Sequence, residues 1–359
     1  MAVLAGCGSG GTTGDVISMN SSSCGGTWQD SAPGWHTFEL YNANTVGGEV
    51  DLTDPATGGV YAEVTGFGPG TTRPVSLDVG SGTYAFRCLF EEQDPMTGPA
   101  VTVPGHAAGE AAIAPVTYND LVGPDKLYQA YVERGLTSLA GQTVALDGDV
   151  RRGDLIAARR DWLTAHLTYE TLGAAYDAFG DFDDEIDGRA DALGVSNPKW
   201  TGFYRVEYGL WHGQGARELR PYTEGLASAV AALLKSWPQT EIPLIDIGLR
   251  THEILENALE FQLTGHDDYG SGTTLKTVLA NIAGTRELLS LLRPLLASRY
   301  PALPSVYSSL GQLQSLVQAS QDTAVPALPQ RTSQAIDAAC GQVLQELAPI
   351  ASITEPRNT

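Results

Sequence analysis

The sequence predicts a multidomain β + α protein, in which a small β-sandwich or barrel precedes an all-α region of helical bundles. The chain has 359 residues, about twice the length of a typical single domain. Residues 15–104 alternate apolar and polar side chains in short runs, and from Tyr118 to the end apolar residues recur every three or four positions. Residues 105–117, rich in Ala and Gly, predict a linker between the two domains.

Six segments of the first domain have the alternation of half-buried strands. Successive side chains of a strand point to opposite faces, so the alternation indicates one buried and one solvated face. Short strands at regular spacing, divided by turn residues, are typical of a sandwich or barrel. The segments are TFELYNA (37–43), GEVDLTD (48–54), GVYAEVT (59–65), RPVSLDV (73–79), GTYAFRCLF (82–90) and PAVTVPG (99–105).

Eight helices are predicted in the second domain, residues 118–359. Gly or Pro interrupts the helical pattern only between long segments, so the connections are short and neighbouring helices run antiparallel. This arrangement favours two four-helix bundles. The predicted helices cover about 118–145, 151–179, 199–216, 220–236, 242–264, 273–297, 302–321 and 327–352.

The chain is strongly acidic, with 42 acidic against 21 basic residues and a net charge of −21. Such a charge repels nucleic acid and anionic lipid headgroups and attracts cations, so a nucleic-acid partner is excluded. No run of eighteen or more apolar residues exists, and the sequence therefore predicts no bilayer-spanning helix.

The first fourteen residues predict a lipid-anchored N-terminus. Leu4-Ala5-Gly6-Cys7 has the pattern of a bacterial lipoprotein processing site, and the Gly, Ser and Thr residues that follow suit a flexible tether. Cys7 would carry the lipid and hold the protein outside the cytoplasm. Only six residues precede Cys7, without a basic region or a full apolar region, so we expect the natural start to lie upstream. The alternative is a cytosolic protein with an accidental LAGC.

Three cysteines remain once Cys7 is assigned to lipidation. In an oxidising compartment Cys24 and Cys88, both in the β domain, form the plausible disulfide. Cys340 is then expected to be buried and free.

Ligand-type side chains are concentrated in four places in the helical domain. Residues three or four apart share a helix face, so each pair could offer two donor atoms to one ion. Most such pairs are solvated surface positions, and only their recurrence on successive helices favours a shared metal site in a bundle interior. The four groups are His166 with Glu170; Asp181, Asp183, Asp184, Glu185, Asp187 and Asp191; Tyr204 with Glu207; and His252, Glu253 and Glu256.

The donor set narrows the choice of metal. Carboxylate, phenolate and one or two imidazoles form a hard, oxygen-rich set, which suits iron, manganese, calcium or magnesium better than copper(I) or a thiolate zinc site. Ferric iron best stabilises a phenolate. A zinc peptidase is disfavoured because His252 and Glu253 supply only half of the HExxH motif.

The order of domains and three motifs resemble the EfeO-type iron-uptake lipoproteins. The motifs are YETLGAAYDAFGDFDDEIDGRAD (169–191), WTGFYRVEYGLWHG (200–213) and ILENALEFQLTG (254–265). The resemblance covers nearly the whole chain and implies a cupredoxin-like β-sandwich followed by an imelysin-like helical domain. It also implies an extracytoplasmic iron-binding protein without enzymatic activity, whose partners are a membrane iron permease and a dye-decolourising-type haem peroxidase.

The resemblance also implies a ligand set. The family carries His-x-x-Glu within the motif that corresponds to residues 200–213, and here Glu207 matches the glutamate while Tyr204 replaces the histidine. Asp187 and Glu256 match two further acidic positions, and His166 and Glu170 lie on a helix expected to pack nearby. Tyr204 either weakens the site or shifts its preference from ferrous to ferric iron, and ligand hardness favours the second reading. Iron as Fe³⁺ or Fe²⁺ is the expected cargo, with Zn²⁺ and Cu²⁺ as alternative ions.

Two other features bear on function. A blue-copper site needs two histidines beside its cysteine, and no histidine lies between Cys88 and Met96, so the β domain is not expected to carry one. The competing functions are a metallopeptidase of the imelysin type and a surface or polysaccharide-binding lipoprotein without a metal.

Overall fold

The structure is a computed structural model that describes residues 16–29, 32–190 and 194–357. Cys7 with the predicted tether, and Asp191 of the acidic segment, lie outside the described residues. The chain divides into two compact units, residues 1–115 and 116–359. Each unit has its own hydrophobic core.

Nine strands form within the described residues of the first unit. The six predicted segments correspond to β3 to β7 and β9, and the sequence pattern missed the short strands β1, β2 and β8. The strands are β1 (Val16–Asn20), β2 (Ser23–Cys24), β3 (Gly34–Asn42), β4 (Gly48–Thr53), β5 (Val60–Val64), β6 (Thr72–Val79), β7 (Gly82–Phe90), β8 (Met96–Thr97) and β9 (Val101–Val103).

Two sheets enclose the core of this unit. One has the order β2-β1-β3-β6, with β1 and β3 parallel, and the other has the order β5-β4-β7-β8, with β9 also paired to β7. Phe38 of the first sheet meets Phe86 of the second with ring centroids 5.6 Å apart. The predicted disulfide between Cys24 and Cys88 is confirmed and links the two sheets, while Cys340 is buried and free as predicted.

The predicted linker contributes to the β unit instead of only spanning a gap. Ile113 exchanges backbone hydrogen bonds with Val60, and the amide of Glu110 donates to the carbonyl of Asp78. The division between units falls after Pro115. The first long helix then begins at once, with Thr117 and Asp120 forming a capping box.

The second unit is helical. Its helices are α1 (Tyr118–Arg152), α2 (Leu155–Glu170), α3 (Tyr176–Phe179), α4 (Asp181–Asp187), α5 (Gly202–Trp211), α6 (Ala216–Ser236), α7 (Arg250–Asn257), α8 (Thr274–Leu296), α9 (Leu303–Ser320) and α10 (Gln330–Thr354). None of the described helices is long and apolar enough to cross a membrane.

Eight of these helices pack in two groups of four. In the first group α1 contacts α2 and α6, and both of these contact α5. In the second group each of α7, α8 and α9 contacts the next helix, and α10 also contacts α7. Helix α2 packs on α8 and joins the groups. The packing agrees with paired four-helix bundles.

Several predicted helices have different bounds in the structure: the one predicted at 118–145 continues to Arg152, and the one predicted at 199–216 covers only Gly202–Trp211. The helix predicted at 151–179 stops at Glu170, because side chains of Tyr176 and Asn281 take the carbonyls of Tyr169 and Glu170. The helix predicted at 242–264 begins only at Arg250 and passes into a π-helix, Ala258–Gln262. At the end of α2, Asn281 lies far along the chain, and a local pattern does not encode such a contact.

Candidate metal centre

Helix α2 supplies an imidazole and a carboxylate to one buried point. His166 and Glu170 lie four residues apart on the face that packs into the unit, and each is only 2% exposed. Their Nε2 and Oε1 atoms are 3.0 Å apart. Trp162, one turn earlier, donates its indole N–H to the carbonyl of Phe203, which fixes α2 against α5.

The acidic segment folds into the short helix α4, whose last residue completes the group. Three carboxylates in its first turn, Asp181, Asp183 and Asp184, suit the positive end of the helix dipole. The helix ends at Asp187, and its Oδ1 lies 3.4 Å from Nε2 of His166. One donor atom from each of His166, Glu170 and Asp187 therefore lies within 4.8 Å of the others, and we call these residues the three-residue cluster.

Helix α5 brings Tyr204 and Glu207 beside this cluster. Both side chains are 1% exposed. The Tyr204 ring stands edge-on to His166 with centroids 5.3 Å apart, and its hydroxyl donates to Oδ2 of Asp267 at 3.3 Å. Oε1 of Glu207 accepts from the backbone N–H groups of Tyr269 and Ser271 at 3.2 and 2.9 Å. Glu207 thus borders the cluster without belonging to it.

Asp267 is a residue of this site that the sequence analysis missed. It lies in the turn after the π-helix, is 4% exposed, and its Oδ1 is 4.0 Å from Nε of Arg189. The local sequence HDDYGSG has the composition of an ordinary turn. Only the approach of this turn to α5 distinguishes Asp267 from its neighbour Asp268.

Glu256 was expected in the ligand set, and the structure does not bring it there. Its side chain is 56% exposed, and Oε2 lies 3.4 Å from Nδ1 of His252 on the same helix. Helix α7 buries the face that carries Thr251, Ile254 and Leu255, which turns Glu256 outward. His252 and Glu256 therefore form a surface pair.

Burial and charge decide the protonation of the cation-free cluster. Burial alone lowers the pKa of His166, but the carboxylates of Asp187 and Glu170, only 3.4 and 3.0 Å from its Nε2, outweigh burial and raise that pKa to about 10. Burial raises the pKa of Glu207 to about 7, against the opposing hydrogen bonds from Ser271. A cation bound here would take the place of protons, because metal ligands bind in their deprotonated forms.

Several buried polar atoms of the site make no hydrogen bond within the described part of the chain. Buried polar atoms nearly always have a partner, so their concentration at one point requires an explanation. A cation bound by Nε2 of His166, Oε1 of Glu170 and Oδ1 of Asp187 would satisfy those three atoms together, and two carboxylates with one imidazole form an oxygen-rich set suited to iron or manganese. The atoms that make no hydrogen bond with the described residues include Nδ1 and Nε2 of His166, Oε1 of Glu170, Oδ1 of Asp187 and Oε2 of Glu207.

The cluster opens into a cavity of about 510 Å³. Two arginines line it, and both are engaged: Arg250 bonds Asp177 at 2.8 Å, and the guanidinium of Arg189 lies 3.6 Å from the centre of the Phe261 ring. Carboxylates outnumber them, so the cavity favours cations. The acidic residues of its lining are Glu170, Asp177, Asp183, Asp184, Asp187 and Glu253.

The β unit has a second, weaker group of carboxylates. Glu49, Asp51 and Glu63 each place one oxygen within 4.8 Å of the others. Arg87 lies opposite Asp51 in the pairing of β4 with β7, so a guanidinium accompanies these acids. Cys88 is held in the disulfide and cannot act as the thiolate ligand of a blue-copper site.

Comparison with known proteins places the helical unit in a family. Residues 126–350 match the imelysin family model, which carries the label peptidase M75. The chain belongs to the imelysin family. A crystal structure of an imelysin-like protein from Psychrobacter arcticum 273-4 has the same fold over 64% of this chain and 96% of its own, with a TM-score of 0.52 and 13% sequence identity.

Named relatives of this imelysin-family chain are components of iron uptake systems. The chain is 30% identical to EfeM of Pseudomonas syringae pv. syringae (strain B728a), over 55% of this chain and 69% of the relative. It is 27% identical to EfeO of Yersinia pestis, over 78% and 73%, and 27% identical to EfeO of Escherichia coli (strain K12), over 68% and 64%. The chain thus spans slightly less than two thirds of the Escherichia coli protein. The predicted resemblance to EfeO-type proteins is confirmed.

Proposed function

We propose that this chain is an extracytoplasmic iron-binding component of an Efe-type iron uptake system. The proposal rests on one observation. Donor atoms of His166, Glu170 and Asp187 lie close together, and Glu170 and Asp187 also line an acidic cavity. The relatives named as iron uptake components make iron the favoured cargo among the hard cations. Zn²⁺ and Cu²⁺ remain competing ions, since imidazole also suits them.

In this proposal Tyr204 adjusts the preference for oxidation state. Burial and the carboxylates of Asp187 and Glu170 raise the pKa of its hydroxyl well above the usual value, so the phenol keeps its proton in the cation-free site. A trivalent ion placed among those carboxylates reverses the local charge and favours the phenolate. Tyr204 would then stabilise ferric over ferrous iron, as the fourth side chain around His166, Glu170 and Asp187, with Glu207 next to it.

The remaining parts of the proposal come from the family resemblance. Cys7 would anchor the chain to the outer face of the bacterial cell membrane, and the first unit would be a cupredoxin-like domain. A membrane permease would receive the iron, and a dye-decolourising-type haem peroxidase would act in the same system. The chain would bind and deliver, not catalyse, since His252 and Glu256 form a surface pair on α7 with no second histidine of an HExxH motif.

Iron binding by a matched pair of glutamate variants tests the proposal. Purified protein is loaded with Fe²⁺ under anaerobic conditions, or with Fe³⁺ as its nitrilotriacetate complex, and bound iron is measured by elemental analysis. We expect one tightly bound iron per chain. The loss of a residue that only hydrogen-bonds a metal ligand typically lowers metal affinity roughly 10–100-fold. The Glu170→Gln variant, which removes a proposed ligand, should lose more affinity than that. The Glu207→Gln variant should also bind less tightly, because Oε2 of Glu207 is buried without a hydrogen bond among the described residues and the Glu207 carboxylate interacts electrostatically with His166.

The control is Glu256→Gln, which neutralises an exposed glutamate that the resemblance alone would place in the ligand set. This variant should bind iron as the unmodified chain does. If Glu170→Gln binds undiminished, or Glu256→Gln loses the iron, the proposed site is wrong.

A further inference from the structure

Helix α8 and the segment that leads into it each hold one carboxylate of the site by a single oxygen. Backbone N–H groups of Tyr269 and Ser271 bind Oε1 of Glu207. Asn281 of α8 donates from Nδ2 to Oε2 of Glu170 at 2.8 Å, and the hydroxyl of Tyr176 lies 3.5 Å from the same oxygen. At both glutamates the second oxygen is buried and makes no hydrogen bond with the described residues. Each carboxylate is therefore held through one oxygen, and the other oxygen of Glu170 lies 3.0 Å from Nε2 of His166.

The contacts of Asn281 fix the orientation of its amide. Nδ2 also donates to the backbone carbonyl of Glu170 at 3.3 Å. A backbone carbonyl oxygen can only accept, so the amide nitrogen must face Glu170 and Oδ1 must face away. Asn281 is 4% exposed and lines the acidic cavity, and its Oδ1 accepts no hydrogen bond from the described part of the chain.

We propose that Asn281 is the positioning residue for Glu170 in cation binding. By holding Oε2, the amide keeps Oε1 3.0 Å from Nε2 of His166, where imidazole and carboxylate can bind one ion together. Asn281 acts through Glu170 and is not itself a ligand. This inference rests on the proposed function, and it assigns to α8 a part in the site that no feature of the sequence indicated. Removal of such an outer partner typically weakens metal binding about 10–100-fold.

A double-mutant cycle on the full chain tests this role. Co²⁺ is the probe, because its visible absorption reports the geometry of its ligands. Dissociation constants are measured for the unmodified chain, Asn281→Ala, Glu170→Gln and the double variant. We expect Asn281→Ala to weaken Co²⁺ binding about 10–100-fold and to change the absorption band. In the Glu170→Gln background the same substitution should have little further effect, because the carboxylate that Asn281 positions is already gone.

Controls separate positioning from loss of structure. Thr285→Val removes a buried hydroxyl one turn further along α8 and should leave Co²⁺ affinity unchanged. Thermal unfolding without metal checks that each variant is folded, and Asn281→Leu, which fills the space without a donor, replaces the alanine variant if that one is unfolded. The inference is overturned in two cases, provided that Glu170→Gln itself weakens Co²⁺ binding. Either the effects of the two substitutions on affinity are fully additive, or both Asn281 variants bind Co²⁺ with unchanged affinity. Unchanged affinity in Glu170→Gln would instead count against the proposed function.

Discussion

At the scale of single residues, the imidazole of this site comes from α2 and not from α5, where the family resemblance places a histidine. The spacing of His166 and Glu170 placed both on one face of a helix, and the structure brings that pair together with Asp187. Tyr204, where the family has its histidine, lies against His166 edge-on. The chain therefore retains one imidazole beside its carboxylates despite the replacement on α5.

The Tyr204→Phe variant tests whether the phenol binds ferric iron. We expect the ferric form of the unmodified chain to show a visible phenolate-to-iron charge-transfer band, and the variant to lack it. Ferric affinity should fall at least about tenfold, equivalent to roughly 1.4 kcal/mol, while ferrous affinity changes less. Absorption spectra and competition with a chelator measure both quantities.

Tyr208→Phe is the matched control, because Tyr208 lies one turn further on the same helix and stacks on His212 instead of His166. It should keep both the band and the affinity. Absence of the band from the unmodified chain, together with unchanged ferric affinity in Tyr204→Phe, would show that Tyr204 is only a packing residue.

At the scale of elements, the close approach of α4 and α5 sets the distance between the cluster and Tyr204. Gly202, the first residue of α5, has φ +85°, and a Cβ there would lie 2.4 Å from the carbonyl oxygen of Ile186. Residues 186 and 187 are the end of α4, so this glycine allows Asp187 to lie beside α5. A larger residue must push the two helices apart or distort the backbone.

We expect Gly202→Ala to lower the free energy of unfolding by more than about 2 kcal/mol, since a left-handed non-glycine residue alone costs about 1–3 kcal/mol. Iron affinity should fall as well, because Asp187 moves relative to Tyr204 and His166. Chemical denaturation and iron titration measure the two effects.

Gly225→Ala provides the comparison within α6. A Cβ at that exposed position meets no atom within 4 Å, so the substitution should stabilise the helix by roughly 0.5–1 kcal/mol and leave iron binding unchanged. Similar behaviour of the two alanine variants would contradict the role given to the α4–α5 contact.

The sequence predicted the long elements well and the short ones poorly. Helices such as α8 and α9 follow from an apolar period that needs no distant partner, and all six predicted strand segments became strands, although β1 was missed. The end of α2, in contrast, involves Asn281 of α8, which donates to the carbonyl of Glu170 from a remote part of the chain. The same limit applies to the site: His166, Glu170 and Asp187 could be nominated individually, whereas the inclusion of Asp267 and the exclusion of Glu256 required the fold.

At the scale of the whole molecule, the two units differ in what stabilises them. The helical unit has a large continuous core, and the β unit has a small core with a disulfide between its sheets. The predicted iron ligands all lie in the helical unit. The units should therefore respond separately to a change confined to one of them.

A Cys24→Ser, Cys88→Ser double variant makes this separation measurable. The disulfide spans a sequence separation of 64, and the loop-entropy relation then gives about 4 kcal/mol of stabilisation for the β unit. We expect one of two calorimetric transitions to move to lower temperature, while the other transition and the iron affinity stay unchanged. Cys340→Ala is the control, because it removes the free thiol buried in the helical unit and should affect only the second transition. If loss of the disulfide lowers both transitions equally, or abolishes iron binding, the β unit contributes to the stability of the site, and iron capture belongs to the whole chain and not to the helical unit.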